Sequence, residues 1–418
     1  MLLCFTFFYM STSFPKEKIK ILLLEGIHPA AVELLRKAGY TQIEAHKQAL
    51  SEQQLIEKMQ AGVHILGIRS KTQVTPTVLE QAPRLLAIGC FCIGTNQVAL
   101  EPAKQSGVAV FNSPYSNTRS VAELVIAEMI MLLRRIPEKN RAAHEGLWFK
   151  AAKGCYEVRG KTLGIVGYGH IGSQVSVLAE ALGLRVVYYD IVPKLPLGNA
   201  TPVHSLYELL AMSDVVTLHV PADESTYQLI NAETLALMKP GAILLNLSRG
   251  GVVDIDAVVT ALQCQHLGGA GIDVFPYEPK GNSELFQSPL QNLPNTLLTP
   301  HVGGSTVEAQ ESIGRDVALK LVNFIDKGIT IGSHTIPEIS LPIKQGTHRI
   351  LHIHHNVPGV LSAINRVISD LNINIEGQYL STNSKVGYVV LDIAQSNSGI
   401  ALDKLRGIEH TIRARMLY

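Results

Sequence analysis

The stretch Thr162–Gly172, with the sequence TLGIVGYGHIG, decides the fold class of this chain. A short apolar run leads into the pattern G-x-G-x-x-G at residues 167–172, and helical apolar spacing follows it. In this context the first glycine forms a turn, the second lets the backbone approach a pyrophosphate, and the third lets helix and strand pack closely. The helix N-terminus also favours phosphate groups. The sequence therefore predicts a parallel α/β domain that binds a dinucleotide.

An acidic residue follows the glycine pattern at the expected distance. Asp190 ends the next predicted strand, RVVYYD, at 190 − 172 = 18 residues beyond Gly172. A carboxylate about 20 residues past the loop accepts hydrogen bonds from the adenosine ribose and disfavours a 2′-phosphate. NAD is therefore the expected cofactor. The competing interpretation is a structural glycine turn followed by an unrelated acid, which would require loop, context and acid to coincide by chance.

Composition limits the class of protein. The chain has 418 residues, 46% hydrophobic and 17% charged, which suits two or three domains with cores of their own. A net charge of +1 argues against a broad surface for nucleic acid or anionic lipid. No run has the ~18 uncharged apolar residues of a membrane span. We therefore expect neither a nucleic-acid nor a membrane partner.

The cysteines and the N-terminus point to a cytoplasmic location. Five cysteines fit no zinc or disulfide framework, so we expect reduced thiols and no metal site. The opening residues, MLLCFTFFYMSTSF, contain no basic residue before Lys16 and too short an apolar run for a signal peptide. Translation from Met10 is an alternative start.

Strands and helices alternate in two long stretches, up to about residue 116 and from Lys161 to about His301. A long helix from about Thr118, ending before Pro137, separates them. This alternation predicts two doubly wound, Rossmann-like parallel sheets. A Pro-, Gly- and Ser-containing segment after Lys327 is predicted to be a linker. The remaining residues follow the order β-α-β-β-α-β, a ferredoxin-like unit.

Polar residues follow three predicted strands of the second stretch. Arg249 follows AILL, Glu278 follows GAGI and His301 follows NTLL. The carboxyl ends of parallel strands meet at one edge, so these side chains are expected to converge. A histidine oriented by a carboxylate can take a hydroxyl proton, and an arginine can bind a carboxylate with paired bonds. Any one of the three is more often structural or a surface charge; together they predict oxidation of a 2-hydroxy acid.

These motifs resemble the D-isomer-specific 2-hydroxyacid dehydrogenase family. The likeness rests on LVIAEMIMLLRRI, GYGHIG, NLSRGGVVD, GIDVFPYEP and LTPHVGGS, over roughly residues 18–340. The segments IGCFCIGTNQV and SNTRSVAELVI and the tail from GTHRILHIHHN to TIRARMLY are similar to the bacterial branch with a C-terminal ACT domain. The resemblance therefore implies oxidation of 3-phosphoglycerate to 3-phosphohydroxypyruvate, at the start of the route to L-serine.

The resemblance implies roles for individual residues. His301 is the acid/base, Glu278 its partner and Arg249 the carboxylate binder. Beside the glycines Gly167, Gly169 and Gly172, the residues implied to line the cofactor are His170, Ile171, Asp190, Leu247, Ser248, Arg249, Asp273, His301, Val302, Gly303 and Gly304. Leu247 stands where a small residue is expected, which is compatible with a backbone contact.

The resemblance also implies the domain boundaries. Residues 16–116 form a substrate-binding domain, residues 117–303 an NAD-binding domain, and residues 304–344 a return segment and linker before the ACT domain at 345–418. The active site is expected in the cleft between the lobes, with closure excluding water. The substrate phosphate is expected on Arg69, Ser70 and Lys71, with Asn117 nearby; on local sequence alone a solvated loop charge pair is the alternative.

The tail is expected to bind an effector. ACT domains resemble amino-acid sensors that pair side by side, which places L-serine near His354 and Asn356, with Asn374 from a partner subunit. His355 and Val357 differ from the charged residues expected there. The predicted result is feedback inhibition through altered lobe closure. The alternative is a tail that only dimerises.

Other interpretations remain open on sequence alone. A relative acting on lactate or glyoxylate would share the Rossmann motifs, and 2-oxoglutarate reduction is a possible second activity. An NAD-binding corepressor-like protein would share the fold without turnover. Trp148, the only tryptophan, fits either a subunit contact in a homotetramer or an ordinary buried position.

Overall fold

A computed structural model describes residues 14–279, 284–342 and 346–417. The alternative start at Met10 lies outside the described residues. The described chain forms two compact units, residues 14–116 with 310–417 and residues 117–309. The predicted fold class is confirmed: two parallel α/β sheets and a small antiparallel sheet at the C-terminus.

The first unit contains a five-stranded parallel sheet in the order β2-β1-β3-β4-β5. Four of its strands, β1, β3, β4 and β5, are short buried apolar runs, as expected for strands covered on both faces, whereas the edge strand β2 is largely exposed. The elements are β1 (Ile21–Leu23), α1 (Pro29–Lys37), β2 (Ile43–Ala45), α2 (Glu52–Gln60), β3 (Ile65–Ile68), α3 (Pro76–Glu80), β4 (Ala87–Cys90), α4 (Leu100–Gln105) and β5 (Ala109–Phe111).

The second unit contains a seven-stranded parallel sheet in the order β12-β11-β10-β9-β6-β7-β8. Strand order reverses beside β6, which is where open α/β sheets bind ligands. The elements are α5 (Thr118–Leu133), α6 (Ile136–His144), β6 (Thr162–Val166), α7 (His170–Ala181), β7 (Arg185–Tyr189), β8 (Thr201–Pro202), α8 (Leu206–Met212), β9 (Val215–Leu218), α9 (Ala232–Ala236), β10 (Ala242–Asn246), α10 (Ile255–Gln263), β11 (Leu267–Ile272) and β12 (Thr296–Leu298).

Helix α11 (Val307–Lys327) leads into the C-terminal part of the chain. The C-terminal sheet is antiparallel with the order β14-β15-β13-β16. Its elements follow the predicted order and are β13 (His348–His355), α12 (Val360–Asp370), β14 (Ile375–Thr382), β15 (Val386–Ile393), α13 (Ser398–Arg406) and β16 (Thr411–Leu417). One face packs on α12 and α13. The other packs on α11 and the first sheet, within one core.

Some local expectations need correction. The predicted long helix is present as α5 and ends at Leu133, slightly before the stop expected at Pro137; Arg135 then takes a left-handed conformation with φ of 53°, and a second helix, α6, begins at Ile136. The predicted linker is tied to β5: the Val110 N–H donates to Thr335 Oγ1 at 3.0 Å, and the His334 N–H donates to Val110 O at 2.8 Å. A segment without periodicity can therefore still be fixed by side-chain hydrogen bonds.

The described residues contain no helix that is both long and apolar enough for a bilayer. Within the same residues, no group of three or more His, Cys, Asp or Glu side chains is placed to hold a metal ion. Cys90, Cys92, Cys155 and Cys264 are free thiols. Trp148 is 90% exposed, which excludes the interpretation of an ordinary buried tryptophan.

Candidate active site

The glycine turn between β6 and α7 has the shape that the pattern predicts. Gly167 has φ of 90°, and a β-carbon there would lie 2.5 Å from His219 O. A β-carbon on Gly172 would lie 2.3 Å from Gly167 O. Around Gly169, by contrast, no atom lies within 4 Å of the β-carbon position. The turn thus requires glycine at both ends and leaves open space at its middle, where α7 begins.

Asp190 lies directly against this turn. Its Oδ2 accepts a hydrogen bond from the Tyr168 N–H at 2.8 Å, and its Oδ1 accepts one from the Val192 N–H at 2.9 Å. The carboxylate therefore has a fixed position at the end of β7. The open space at Gly169, the helix start and this fixed acid together fit a dinucleotide.

His301 and Glu278 form a direct pair. His301 Nδ1 lies 2.8 Å from Glu278 Oε2. The other carboxylate oxygen, Oε1, accepts a hydrogen bond from the Phe275 N–H at 3.1 Å. The carboxylate thereby fixes the imidazole ring and leaves Nε2 for another partner. Both side chains are partly exposed, so a ligand can reach them.

Asp273 holds the loop that presents His301. Its buried carboxylate accepts hydrogen bonds from Thr299 Oγ1 at 2.6 Å, the Val302 N–H at 2.8 Å and the Gly303 N–H at 2.9 Å. The His301 N–H donates to Asp273 O at 2.8 Å. The loop from Thr299 to Gly303 is therefore wrapped around one carboxylate.

Arg249 follows β10 and lies in the same unit. Its Nη1 donates to Ser248 O at 2.7 Å. The next residue, Gly250, packs so tightly that a β-carbon would lie 2.1 Å from the Phe275 carbonyl carbon. The structure therefore brings the Arg249 turn against the loop that carries Glu278, as predicted for neighbouring strand ends.

The remaining predicted residues of this unit take different environments. Leu247 is buried in the core, so only its backbone is available to a ligand. Ser248 is buried, and its Oγ donates to Asn246 Oδ1 at 2.8 Å. Asn117 is also buried, and its Oδ1 has no partner among the described residues. A β-carbon on Gly304 would lie 2.2 Å from Asn117 Nδ2. His170, Ile171 and Val302 are partly or fully exposed.

Sequence reasoning missed Glu128, a buried acid on α5. Only 2% of it is exposed. Burial, and then the nearby Asp273 charge, raise its pKa to about 8, while Thr299 Oγ1 at 3.4 Å from Oε1 opposes that shift. A signal was present, because Glu128 falls three residues after Val125 and four before Leu132 on the apolar face of the helix.

Comparisons with known proteins identify the family. Residues 126–303 match the NAD-binding domain of D-isomer-specific 2-hydroxyacid dehydrogenases, and residues 350–413 match an ACT domain like that of the AHAS small subunit. The D-3-phosphoglycerate dehydrogenase of Escherichia coli K12 is 55% identical over 97% of this chain and 99% of that protein. The chain belongs to the D-3-phosphoglycerate dehydrogenases. It is an NAD-dependent oxidoreductase of this family.

Further relatives agree with that assignment. A D-3-phosphoglycerate dehydrogenase of Haemophilus influenzae is 53% identical over 97% of this chain and 99% of its own length. Among solved structures, the D-lactate dehydrogenase of Aquifex aeolicus with NAD and lactic acid is 26% identical, covers 76% of this chain and 100% of its own, and has a TM-score of 0.64. The resemblance to the family and the prediction of NAD as cofactor are both confirmed.

Members of this dehydrogenase family act on a phosphorylated acid, and the first unit of the chain contains the predicted phosphate-binding turn. Arg69, Ser70 and Lys71 follow β3, and all three are at least partly exposed. Gln97 Nε2 donates to Arg69 O at 2.5 Å. The turn is thus held by its backbone, with its polar side chains outward.

The predicted effector residues lie at two ends of the C-terminal sheet. His354 is buried, its Nδ1 lies 2.8 Å from His355 O, and its Nε2 has no partner among the described residues. Burial lowers the pKa of His354, which favours the neutral ring. Asn356 Nδ2 donates to Asn383 O at 2.8 Å.

Asn374 is not brought near these residues within one chain. His354 pairs with Gly387, which pairs with Thr382. Asn374 precedes the opposite end of β14, eight residues away, which is about 27 Å along an extended strand. A site that uses both Asn356 and Asn374 would therefore need two chains.

Proposed function

We propose that this protein oxidises D-3-phosphoglycerate to 3-phosphohydroxypyruvate with NAD, the first step of serine biosynthesis from glycolysis. The His301–Glu278 pair, 2.8 Å apart on a loop fixed by Asp273, is the observation that best supports this proposal. NAD supplies the hydride acceptor when bound. The chain's own residues handle the proton, the carboxylate and the phosphate.

His301 acts as the base in the proposed reaction. Since Nδ1 faces Glu278, Nε2 takes the proton from the substrate hydroxyl as the C2 hydrogen leaves as hydride and the carbonyl forms. The Glu278 carboxylate orients the ring and stabilises the imidazolium that results. In the reverse direction His301 returns the same proton.

Charged and amide groups would hold the substrate ends. Arg249 binds the carboxylate with paired hydrogen bonds, a geometry that guanidinium groups favour. Arg69 and Ser70, together with Asn117, contribute to binding the phosphorylated end. Phosphate oxygens accept hydrogen bonds, so Asn117 would contribute through its Nδ2 donor.

The cofactor would be held by residues of the second unit. Gly167, Gly169 and Gly172 admit the pyrophosphate, and Asp190 accepts the ribose hydroxyls. The rest of the surface proposed from the family is contributed by His170, Ile171, Leu247, Ser248, Arg249, Asp273, His301, Val302, Gly303 and Gly304.

The ACT domain indicates regulation by an amino acid, and we propose L-serine as the inhibitor. The unpartnered Nε2 of His354 and the nearby Asn356 amide suit an amino acid, because neutral rings and amides both donate and accept. Asn374 of a second chain would complete the site. Exposed Trp148, with Leu147 and Phe149 also exposed, favours a further subunit contact, consistent with a homotetramer.

The test is NADH oxidation with 3-phosphohydroxypyruvate, pyruvate, glyoxylate and 2-oxoglutarate, each with and without L-serine. We expect 3-phosphohydroxypyruvate to give the highest kcat/KM, 2-oxoglutarate a lower turnover, and serine to inhibit. His301→Asn should lower kcat by about a hundredfold or more. The matched control is His46→Asn, since the partly exposed His46 also pairs with a glutamate, Glu44, at 2.6 Å. NADH binding without turnover of any acid would favour the corepressor-like alternative.

A further inference from the structure

A buried carboxylate lies under the turn that contains Arg69 and Lys71. Glu25 Oε1 accepts hydrogen bonds from the Thr72 N–H at 2.8 Å and the Arg69 N–H at 3.2 Å. Its Oε2 accepts one from the Lys71 N–H at 2.9 Å. Glu25 is 9% exposed, so these backbone groups are its surroundings rather than solvent. One side chain therefore fixes three of the four peptide N–H groups from Arg69 to Thr72.

The backbone of Glu25 is itself unusual. Two residues after the end of β1 it adopts φ of 64°, and Gly26 follows with φ of 63°. A left-handed glutamate is disfavoured sterically, and such residues persist where surrounding contacts impose them. Here the conformation accompanies a side chain that points under the turn after β3, the neighbouring strand in the sheet.

The turn has a second anchor on its carbonyl side. Gln97, which is buried, donates from Nε2 to Arg69 O at 2.5 Å and to Gly94 O at 3.3 Å. Donors and acceptors of the turn backbone are thus both used inside the fold. The side chains of Arg69, Ser70 and Lys71, and the Ser70 N–H that Glu25 does not bind, remain for a ligand.

We propose that Glu25 is a positioning residue that sets the selectivity of this site for a phosphorylated substrate. It acts through the turn: by holding the N–H groups of Arg69 and Lys71, it fixes the directions in which the two cations leave the backbone. Its negative charge also offsets the repulsion between these cations before a dianion binds. The inference rests on the proposed function, in which Arg69 contributes to phosphate binding.

The carboxylate is needed because both of its oxygens accept. In Glu25→Gln only one oxygen remains, and an amide NH₂ then faces a peptide N–H, so the turn must shift. A misplacement of about 1 Å can change rates by up to about a hundredfold. The loss should be confined to substrates that use the phosphate contact.

The experiment compares 3-phosphohydroxypyruvate with hydroxypyruvate, which lacks only the phosphate. We expect Glu25→Gln to lower the ratio of the two kcat/KM values by about tenfold or more, mainly through KM of the phosphorylated substrate. Glu44→Gln is the control, because Glu44 is an exposed glutamate on the same sheet that binds Lys58 and His46. It should leave the ratio unchanged.

A second variant covers the case in which Glu25→Gln does not fold. Gln97→Met removes the carbonyl anchor of Arg69 and should lower the same ratio. An equal loss on both substrates, or an unchanged ratio in folded variants, would overturn the inference while leaving the proposed function intact. If the wild-type protein itself made no distinction between the two substrates, the proposed function would be contradicted and the inference with it.

Discussion

His301, the proposed base, has a strained backbone. Its φ of 53° lies in the left-handed region, and the Asp273 carbonyl and carboxylate hold the loop on either side of it. A strained backbone conformation of this kind persists only where surrounding contacts impose it. The residues that hold this loop therefore matter as much for the site as the imidazole itself.

Glu128 should make stability depend on pH. Its folded pKa of about 8 lies above the usual 4.5. Buried Glu128 therefore destabilises the folded protein in a pH-dependent way. The effect is absent below about pH 4.5, grows as pH rises because Glu128 ionises first in the unfolded chain, and levels off above about pH 8. Glu128→Gln should raise the free energy of unfolding by about 2–3 kcal/mol at pH 7 and by less than about 1 kcal/mol at pH 5.

Urea unfolding at the two pH values measures this difference. The control is Glu123→Gln on the same helix, since exposed Glu123 pairs with Arg119 at 2.6 Å and should contribute within about 0.5 kcal/mol. Besides burial, the charge of Asp273 raises the pKa of Glu128, and neither substitution changes Asp273. An equal gain at pH 5 and pH 7 would show that Glu128 does not stay protonated in the folded state.

Two glycines of the same turn should respond differently to alanine. Gly169→Ala meets nothing within 4 Å and has φ of −86°, so the melting temperature should hold while NADH affinity falls about tenfold. Gly172→Ala would place a methyl group 2.3 Å from Gly167 O and should destabilise the protein by about 1–3 kcal/mol. Thermal unfolding measures the stability of the two variants, and NADH fluorescence titration measures their cofactor affinity. If Gly169→Ala also lost stability, the space around Gly169 would not be open to a cofactor.

At the level of single residues, the sequence predicted those whose position follows a strand end, such as Arg249 and Asp190. It could not predict Glu25 as an anchor, because its partners are peptide N–H groups more than forty positions away. Hydrogen bonds to distant backbone leave no periodic pattern in sequence.

At the level of elements, the predictable ones are those with buried, regular patterns. β6, β10 and β15 are apolar runs and were expected. The edge strand β2 is only three residues long and largely exposed, so it has no apolar signature. The end of α5 at Leu133 agrees with the stop expected before Pro137, but the left-handed Arg135 and the second helix α6 that follows it leave no signal in the apolar spacing.

A buried ion pair should stabilise the C-terminal sheet. Arg349 on β13 donates to Asp392 on β15 through Nε and Nη2 at 2.7 and 2.8 Å, and both side chains are 0% exposed. Arg349 also donates to Lys327 O at 3.0 Å, after which α11 ends. Because a buried charge left without its partner is costly, Asp392→Asn should lower the free energy of unfolding by about 3–5 kcal/mol.

The matched control is Asp403→Asn. Asp403 pairs with Arg406 at 3.2 Å on the exposed face of α13, and its loss should change stability by less than about 1 kcal/mol. Chemical denaturation of both variants decides the matter. If Asp392→Asn lowers the free energy of unfolding as little as Asp403→Asn does, the buried Arg349–Asp392 pair does not stabilise the C-terminal sheet.

At the level of the whole molecule, the C-terminal sheet is part of the first unit rather than a separate appendage. Arg415 donates to Phe324 O at 2.7 Å, Arg413 donates to Leu85 O, and Tyr388 Oη donates to Gly328 O at 2.7 Å. All eight residues of β15 are buried, as expected for a strand covered on both faces. The apolar sequence of β15 predicts this burial on both faces. It does not predict which residues cover the strand, because they come from distant segments such as α11.

This packing decides how the effector site should be tested. Removing the tail would uncover Phe324, Leu321 and other buried side chains, so a truncated protein would lose stability for reasons unrelated to serine. Point variants avoid the problem. Asn356 and Asn374 are both exposed, and alanine at either should abolish serine inhibition with little change in melting temperature.

Mixed oligomers then test whether two chains share each site. In a pair of Asn356→Ala and Asn374→Ala chains, one site has lost both amides and the other has retained both. Since Asn374 lies at the opposite end of the sheet from His354 in one chain, we expect hybrids refolded from equal amounts of the two variants to recover serine inhibition at half of their sites. The measurement is residual NADH oxidation at saturating serine, with each variant alone as the control. Hybrids as insensitive as their parents would mean that Asn356 and Asn374 do not act across a subunit interface.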